Sequence, residues 1–225
     1  MQQLDLEKNQ QTFEAIFNGE IFREGKDELL QWLKESDFFT MPATGQYTLS
    51  CKGGGCQHAL NAYKALYEMV EKYRANDRSY LLDLPENPTE EDYQAAEKDL
   101  YQSIAIIGLL HDVCNANSWV DTFRNVQQPD GKWIKKPGYK WEEEFIFGHG
   151  AKSVFIIQQF MRLYIEEAQA IRFHAQGKEI PYGTQIEDTF YGVYETTPLA
   201  AIAGAAINEA SIVADKIIWD KVKPE

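Results

Sequence analysis

The chain reads as a mostly α-helical protein with one small β-hairpin inserted. Three observations carry that reading. Ile104 to Leu110 is an almost unbroken apolar run, which suits a helix buried on all sides. Elsewhere apolar residues recur at intervals of three and four, the period of a helix with one buried face. Only 119–144 breaks the pattern, with two alternating segments around Pro129-Asp130-Gly131. An Asp-Gly pair between such segments is a hairpin signal.

The elements follow in order. Over residues 1–35, Phe13, Ile16, Phe17, Ile21, Phe22, Leu29, Leu30 and Leu33 space out as two short amphipathic helices, an N-terminal helical extension. Asp37 to Gly45 contains Pro42 and reads as a loop. Gly53-Gly54-Gly55 permits close backbone approach ahead of His58. From His58 to Tyr73, Leu60, Tyr63, Leu66, Tyr67 and Val70 keep helical spacing. Pro85 and Pro88 then break the chain. Thr89-Glu90-Glu91-Asp92 has the form of a capping box opening the next helix, which runs through the apolar stretch to His111. After the hairpin, helices are expected from about Ala151 to Leu163 and from about Ile165 to Gln176, with Gly177 placed to end the latter. Residues 178–197 hold Pro181, Gly183 and Gly192 and read as a loop or lid. Leu199 to Val222 reads as one long, alanine-rich apolar helix.

Bulk properties narrow the function classes. With 225 residues, 44% of them apolar, the chain suits one domain, 1–225, with a substantial core. A net charge of −13 argues against duplex nucleic acid as a partner. No apolar run is long enough to span a bilayer, and Met1 to Glu7 lacks the pattern of a signal peptide. Three cysteines fit a reducing compartment better than a disulfide framework. The expectation is a soluble, cytoplasmic protein, compatible with a homo-oligomer.

The chemistry gathers around histidine. A His-Asp pair at the end of a buried helix is costly unless something binds it, and a divalent ion would. The chain has four histidines, His58, His111, His149 and His174, each at or beside an expected helix end or glycine turn. With Asp112 and Asp215 they form the order H…HD…H…H…D. The surrounding motifs are Gly-Gly-Gly-Cys-Gln-His-Ala-Leu-Asn-Ala-Tyr (53–63), Gly-Leu-Leu-His-Asp-Val-Cys (108–114), Gly-His-Gly-Ala-Lys-Ser (148–153), Ala-Ile-Arg-Phe-His (170–174) and Ile-Val-Ala-Asp-Lys-Ile (212–217).

Over roughly residues 35–220 this set resembles the HD-domain metal-dependent phosphohydrolase superfamily, most nearly its small stand-alone bacterial and phage members. The resemblance implies an HD-type helical bundle holding one or two divalent ions (Mn, Fe, Mg, Ni or Zn). His58, His111, Asp112 and Asp215 would hold the first, and Asp112, His149 and His174 the second. Hydroxide generated at the metal would cleave a phosphoester of a nucleotide or cyclic nucleotide. Aligning instead on Pro198-Leu199-Ala200 puts Ile207 or Asn208 at the last aspartate position; Ala-Asp-Lys-Ile is the better local match and favours Asp215.

Around the ligands, Lys152 and Arg172 sit beside motif histidines and are candidates for phosphate contact and catalysis. Trp119, Trp133, Tyr139 and Trp141 offer either a stacking surface for a nucleobase or the hairpin's own mini-core. Lys132, Lys135, Lys136 and Lys140 could steer an anion or simply edge the hairpin. Glu142-Glu143-Glu144 reads as a charged surface run. The cysteines read as free or buried thiols rather than ligands. Two departures from the family pattern bear on the pocket. Asn115 stands where many relatives have a lysine facing substrate phosphate, and Ala151 stands where close relatives have glutamate. They motivate an alternative: an HD fold that binds and sequesters a nucleotide signal without turnover, as a phage protein acting against bacterial defence would. A third reading, an interaction module with a vestigial site, is disfavoured by retention of all four histidines.

Overall fold

The computed structural model describes residues 3–175 and 183–223. In chain order the helices are α1 (Leu6–Glu20), α2 (Lys26–Glu35), α3 (Gly54–Arg74) and α4 (Glu90–Leu110), then a 3-10 turn (Val113–Asn115). Strands β1 (Trp119–Gln127) and β2 (Trp133–Trp141) follow, then α5 (His149–Gln158), α6 (Ile165–Phe173), α7 (Gln185–Thr196), α8 (Pro198–Glu209), a π-helical turn (Ala210–Ala214) and α9 (Asp215–Val222). The mostly α reading with one hairpin holds.

The centre is α4. Every residue from Gln102 to Leu110 is buried, as an all-round apolar helix requires. Its start is a true capping box: the Thr89 hydroxyl accepts from the Asp92 amide, and the Asp92 carboxylate accepts from the Thr89 amide. Helix α3 packs on α4 and α8, and α6 packs on α5 and α8. Helix α1 is more than a peripheral extension. Phe13 and Phe17 are fully buried, and α1 packs on α3 and α4.

Two glycines set how near these helices come. A Cβ at Gly108 would lie 2.5 Å from the Tyr63 Cα, so only glycine lets α4 cross α3 this closely. A Cβ at Gly150 would lie 2.3 Å from the Arg172 carbonyl oxygen, so the same holds where α5 meets the end of α6. The first crossing brings His58 and His111 together; the second brings His149 beside His174.

The hairpin pairs antiparallel, with Trp119 opposite Trp141 at its base and Gln127 opposite Trp133 near its tip. Gly131 takes φ +85 in the turn, a conformation glycine adopts without strain. At the base, the Tyr139 amide donates to the Gly45 carbonyl, tying the 42–48 loop to β2.

Several boundaries differ from the sequence expectation. The helix expected from Ala151 to Leu163 runs from His149 to Gln158. The segment expected as a loop or lid over 178–197 contains helix α7. Phe190 and Val193 are buried, and Phe190 packs on Phe173. Ile186, Phe190, Val193 and Tyr194 keep helical spacing, and Gly192 does not break it. The glycine and proline punctuation masked that period. The expected stop at Gly177, with Gln176 and Pro181, lies outside the described residues. The long terminal helix is present but carries a π-turn just before Asp215. No single helix among the described residues is long and apolar enough to cross a membrane.

Candidate metal centre

The four histidines, far apart in sequence, meet at one carboxylate. Each is placed by a helix end or first turn: His58 on the second turn of α3, His111 capping α4, His149 opening α5 and His174 capping α6. Asp112 follows α4 directly and sits among them.

Each ring is fixed in the same sense. His111 Nδ1 lies 3.0 Å from the Gly108 carbonyl oxygen, and His174 Nδ1 lies 2.7 Å from the Ile171 carbonyl oxygen. A carbonyl only accepts, so both Nδ1 atoms carry the proton and both Nε2 lone pairs point inward. His58 Nδ1 donates to Asp215 Oδ2 at 2.7 Å. His149 Nδ1 meets the Cys114 sulfur at 3.2 Å. On the inner side, His149 Nε2 and His174 Nε2 lie 2.7 Å and 3.2 Å from Asp112 Oδ1. His111 Nε2 lies 3.8 Å from the same oxygen, and His58 Nε2 lies 3.8 Å from Oδ2. The two carboxylate oxygens of Asp112 therefore face different sets of rings.

The closest inward contact carries the test for a cation. His58 Nε2 and His111 Nε2 are 3.0 Å apart. With both Nδ1 atoms donating elsewhere, two lone pairs would face each other in a buried site. Only a proton or a cation between them relieves that repulsion. A metal–nitrogen bond of about 2.1 Å places two adjacent ligands of an octahedron roughly 3.0 Å apart, so the pair fits an ion without rearrangement.

Protonation tells the same story. Burial pushes the His111 pKa down to about 3, so this ring stays neutral. Burial also opposes charge on His58, but the Asp215 hydrogen bond and the Asp215 and Asp112 charges outweigh it and raise its pKa. Burial likewise opposes charge on His149, but Asp112 raises its pKa well above the ordinary histidine value. Desolvation opposes charge on the half-buried Asp112, but His149, His111 and His174 hold it well below the usual carboxylate range. Without an ion, protons hold this cluster together.

His58, His111 and Asp112 place ligand atoms within 4.8 Å of one another, as do Asp112, Cys114 and His149. Five buried or half-buried groups, His58, His111, Asp112, Cys114 and His149, can thus form a metal site. His174 joins them through its contact with Asp112. Asp215 reaches the cluster only through the far side of His58. Its second oxygen accepts from the Asn61 amide at 2.7 Å.

Among the described residues, two cavities that share Asp112 and His149 open onto the cluster. The smaller, about 280 Å³, is also lined by His58, His174, Asn208 and Ser211. The larger, about 570 Å³, runs past Asn115 and Lys152 to Trp119 and Trp141. Those tryptophans pack edge to face at 4.9 Å. Asn115, expected at the pocket, lines it and donates to Asp112 Oδ2 at 3.2 Å.

The remaining expectations divide. Lys152 is buried and lines the larger cavity, but Glu143 neutralises it at 2.8 Å and Ser118 accepts from it. It therefore does not stand ready for a phosphate. Glu143, expected within a surface run, is largely buried against this lysine, a pairing only the fold reveals. Arg172 lines neither cavity; its guanidinium lies over the Phe173 ring. Of the aromatic group, Trp119 and Trp141 face the cavity, while Trp133 is exposed near the hairpin tip. Cys114 and Asn61 were not singled out as supports. Asn61 lies one helical turn from His58 on α3, a local signal that they share a face, whereas Cys114 meets His149 across a separation of 35 residues that no local spacing reveals.

Comparisons with protein-family models, with curated proteins and with solved structures found no match.

Proposed function

We propose that this chain is an HD-type, metal-dependent phosphohydrolase acting on a nucleotide or cyclic nucleotide. One observation carries the reading: the Nε2 atoms of all four histidines converge on Asp112, beside a cavity large enough for a small molecule. His58, His111 and Asp112 would hold one ion, and Asp112, His149 and His174 a second. The imidazole-rich set favours Mn, Fe, Ni or Zn over Mg, which prefers oxygen ligands. Such ions acidify water and neutralise charge on phosphate oxygens.

The chain's own groups do the rest. Asp112 turns one oxygen toward His111, His149 and His174 and the other toward His58, with Asn115 donating to that second oxygen. The Nδ1 contacts hold each lone pair on target. Trp119 and Trp141 offer a flat wall to a base. Purified protein loaded with manganese, incubated with mono-, cyclic and triphosphate nucleotides, should release product that Asp112→Ala abolishes. No product across that panel would count against turnover.

Sequestration without turnover is the second reading, and the Lys152–Glu143 pair favours it. With Asn115 and Ala151 uncharged, the buried lysine that lines the larger cavity, Lys152, is already neutralised. Tight binding with intact nucleotide recovered after denaturation would select this reading over hydrolysis.

A further inference from the structure

We propose that Asp215 is a positioning residue rather than a metal ligand. It sets the tautomer and aim of His58 from behind, leaving the matching coordination position open to the smaller cavity. The inference rests on the metal-binding reading above.

Three observations support it. First, both oxygens of Asp215 already have protein partners: Oδ2 accepts from His58 Nδ1 and Oδ1 from Asn61 Nδ2, each at 2.7 Å. Second, the two nitrogens of an imidazole point apart. An ion on His58 Nε2, where His111 Nε2 approaches to 3.0 Å, lies across the ring from Asp215. One carboxylate cannot serve both sides without a large displacement, and Asp215 is buried. Third, the terminal helix shows why. Asn208 and Ser211 line the smaller cavity beside His58 and Asp112. Asp215 follows seven residues after Asn208 and does not line that cavity. The π-turn over Ala210–Ala214 lies between them and presents Asp215 to α3, not to the cavity. Turns of this kind often mark functional positions in helices. A carboxylate, a histidine and an ion in series is a familiar way to fix ring orientation and strengthen a ligand.

The test uses the full chain, stripped of metal and then titrated with cobalt(II), read by calorimetry and by the visible spectrum. Asp215→Asn can still accept from His58 Nδ1, so it should keep the wild-type ion count and spectrum, with affinity reduced tenfold or less. Asp215→Ala should weaken binding by about 10–100-fold at unchanged stoichiometry. His58→Ala should lose an ion outright. In the zinc-loaded protein, a downfield Nδ1 proton of His58 should persist in Asp215→Asn and vanish in Asp215→Ala. Circular dichroism establishes that each variant is folded. If a folded Asp215→Asn loses the ion as completely as His58→Ala, or its cobalt spectrum reports one ligand fewer, the positioning role is wrong while the metal reading stands. If the wild-type chain takes up no cobalt, or Asp112→Ala takes it up unchanged, both fail.

Discussion

Glu167 and Asp112 each stand at the centre of a side-chain network, and their surroundings differ in kind. Glu167 is fully buried near the start of α6. Arg23 grips it with two guanidinium nitrogens, the Ser103 hydroxyl donates to it at 2.8 Å, and the Tyr164 amide donates at 2.7 Å. A fixed positive charge and two further donors close that network. Among the described residues Asp112 has no such cation. Its neighbours are the four imidazoles and Asn115. Imidazoles carry charge only conditionally, so this network is closed by something exchangeable, a proton or a metal ion. A buried carboxylate paired by arginine holds a fold together; one ringed by inward lone pairs waits for a ligand.

The largest expected effect separates the two directly. Asp112→Ala should remove metal binding and any turnover, a loss greater than the roughly 100-fold typical of supporting residues. Glu167→Gln should leave the metal content unchanged. Elemental analysis of both purified variants decides this, and a Glu167 variant without metal would erase the distinction.

Stability should rank them the other way. Breaking the Arg23–Glu167 pair with Glu167→Leu should cost about 3 kcal/mol in urea unfolding, because it leaves the half-buried Arg23 guanidinium without its carboxylate. Asp112→Asn in metal-free protein should cost clearly less. Saturating metal at about 100 times its Kd should add roughly 2.7 kcal/mol to the wild-type chain and nothing to the Asp112 variant.

The helix crossings give an intermediate effect. Gly150→Ala drives a Cβ into the Arg172 backbone, and an overpacked crossing costs about 1–3 kcal/mol. Because this crossing seats His149 beside His174, metal affinity should fall as well. Wild-type affinity in Gly150→Ala would show that the crossing does not set ring placement.

pH dependence sharpens the contrast further. In metal-free protein the His58 and His149 pKa values are raised above 6.5, so their protonation stabilises the fold. That contribution is complete below the unfolded value and is lost as pH rises through the folded values. Metal-free stability should therefore decline from about pH 6.5 upward. Metal affinity should rise over the same interval, since ions replace those protons. Unfolding with and without chelator across this range checks both signs. A metal-free curve that rises with pH would contradict the proton-held cluster.

The smallest effect belongs to the cavity wall. Trp119→Ala should weaken nucleotide binding about tenfold, near the lower end of base stacking at about 1–3 kcal/mol, with metal content unchanged. Equal binding by the variant would return Trp119 to the hairpin's own packing.

Much of this was legible in residues alone. The apolar run of α4, the capping box at Thr89 and the Asp-Gly turn are local signals, and each formed the expected element. All four histidines and Asp112 were singled out because donors of this kind at the ends of apolar helices are costly unless bound. Local pattern, however, does not specify direction. Whether Asp215 faces an ion or the back of His58 depends on a π-turn and the packing of α3. Whether Lys152 meets a phosphate or Glu143 depends on where β2 ends relative to α5. Helix α7 was missed because Gly192 and neighbouring punctuation outweighed a helical period that only its burial against Phe173 makes decisive. Sequence determined which groups can bind, since that follows from their chemistry. Tertiary structure decided which atoms face one another, since orientation at separations of an ångström is fixed by helix crossings that no local segment encodes.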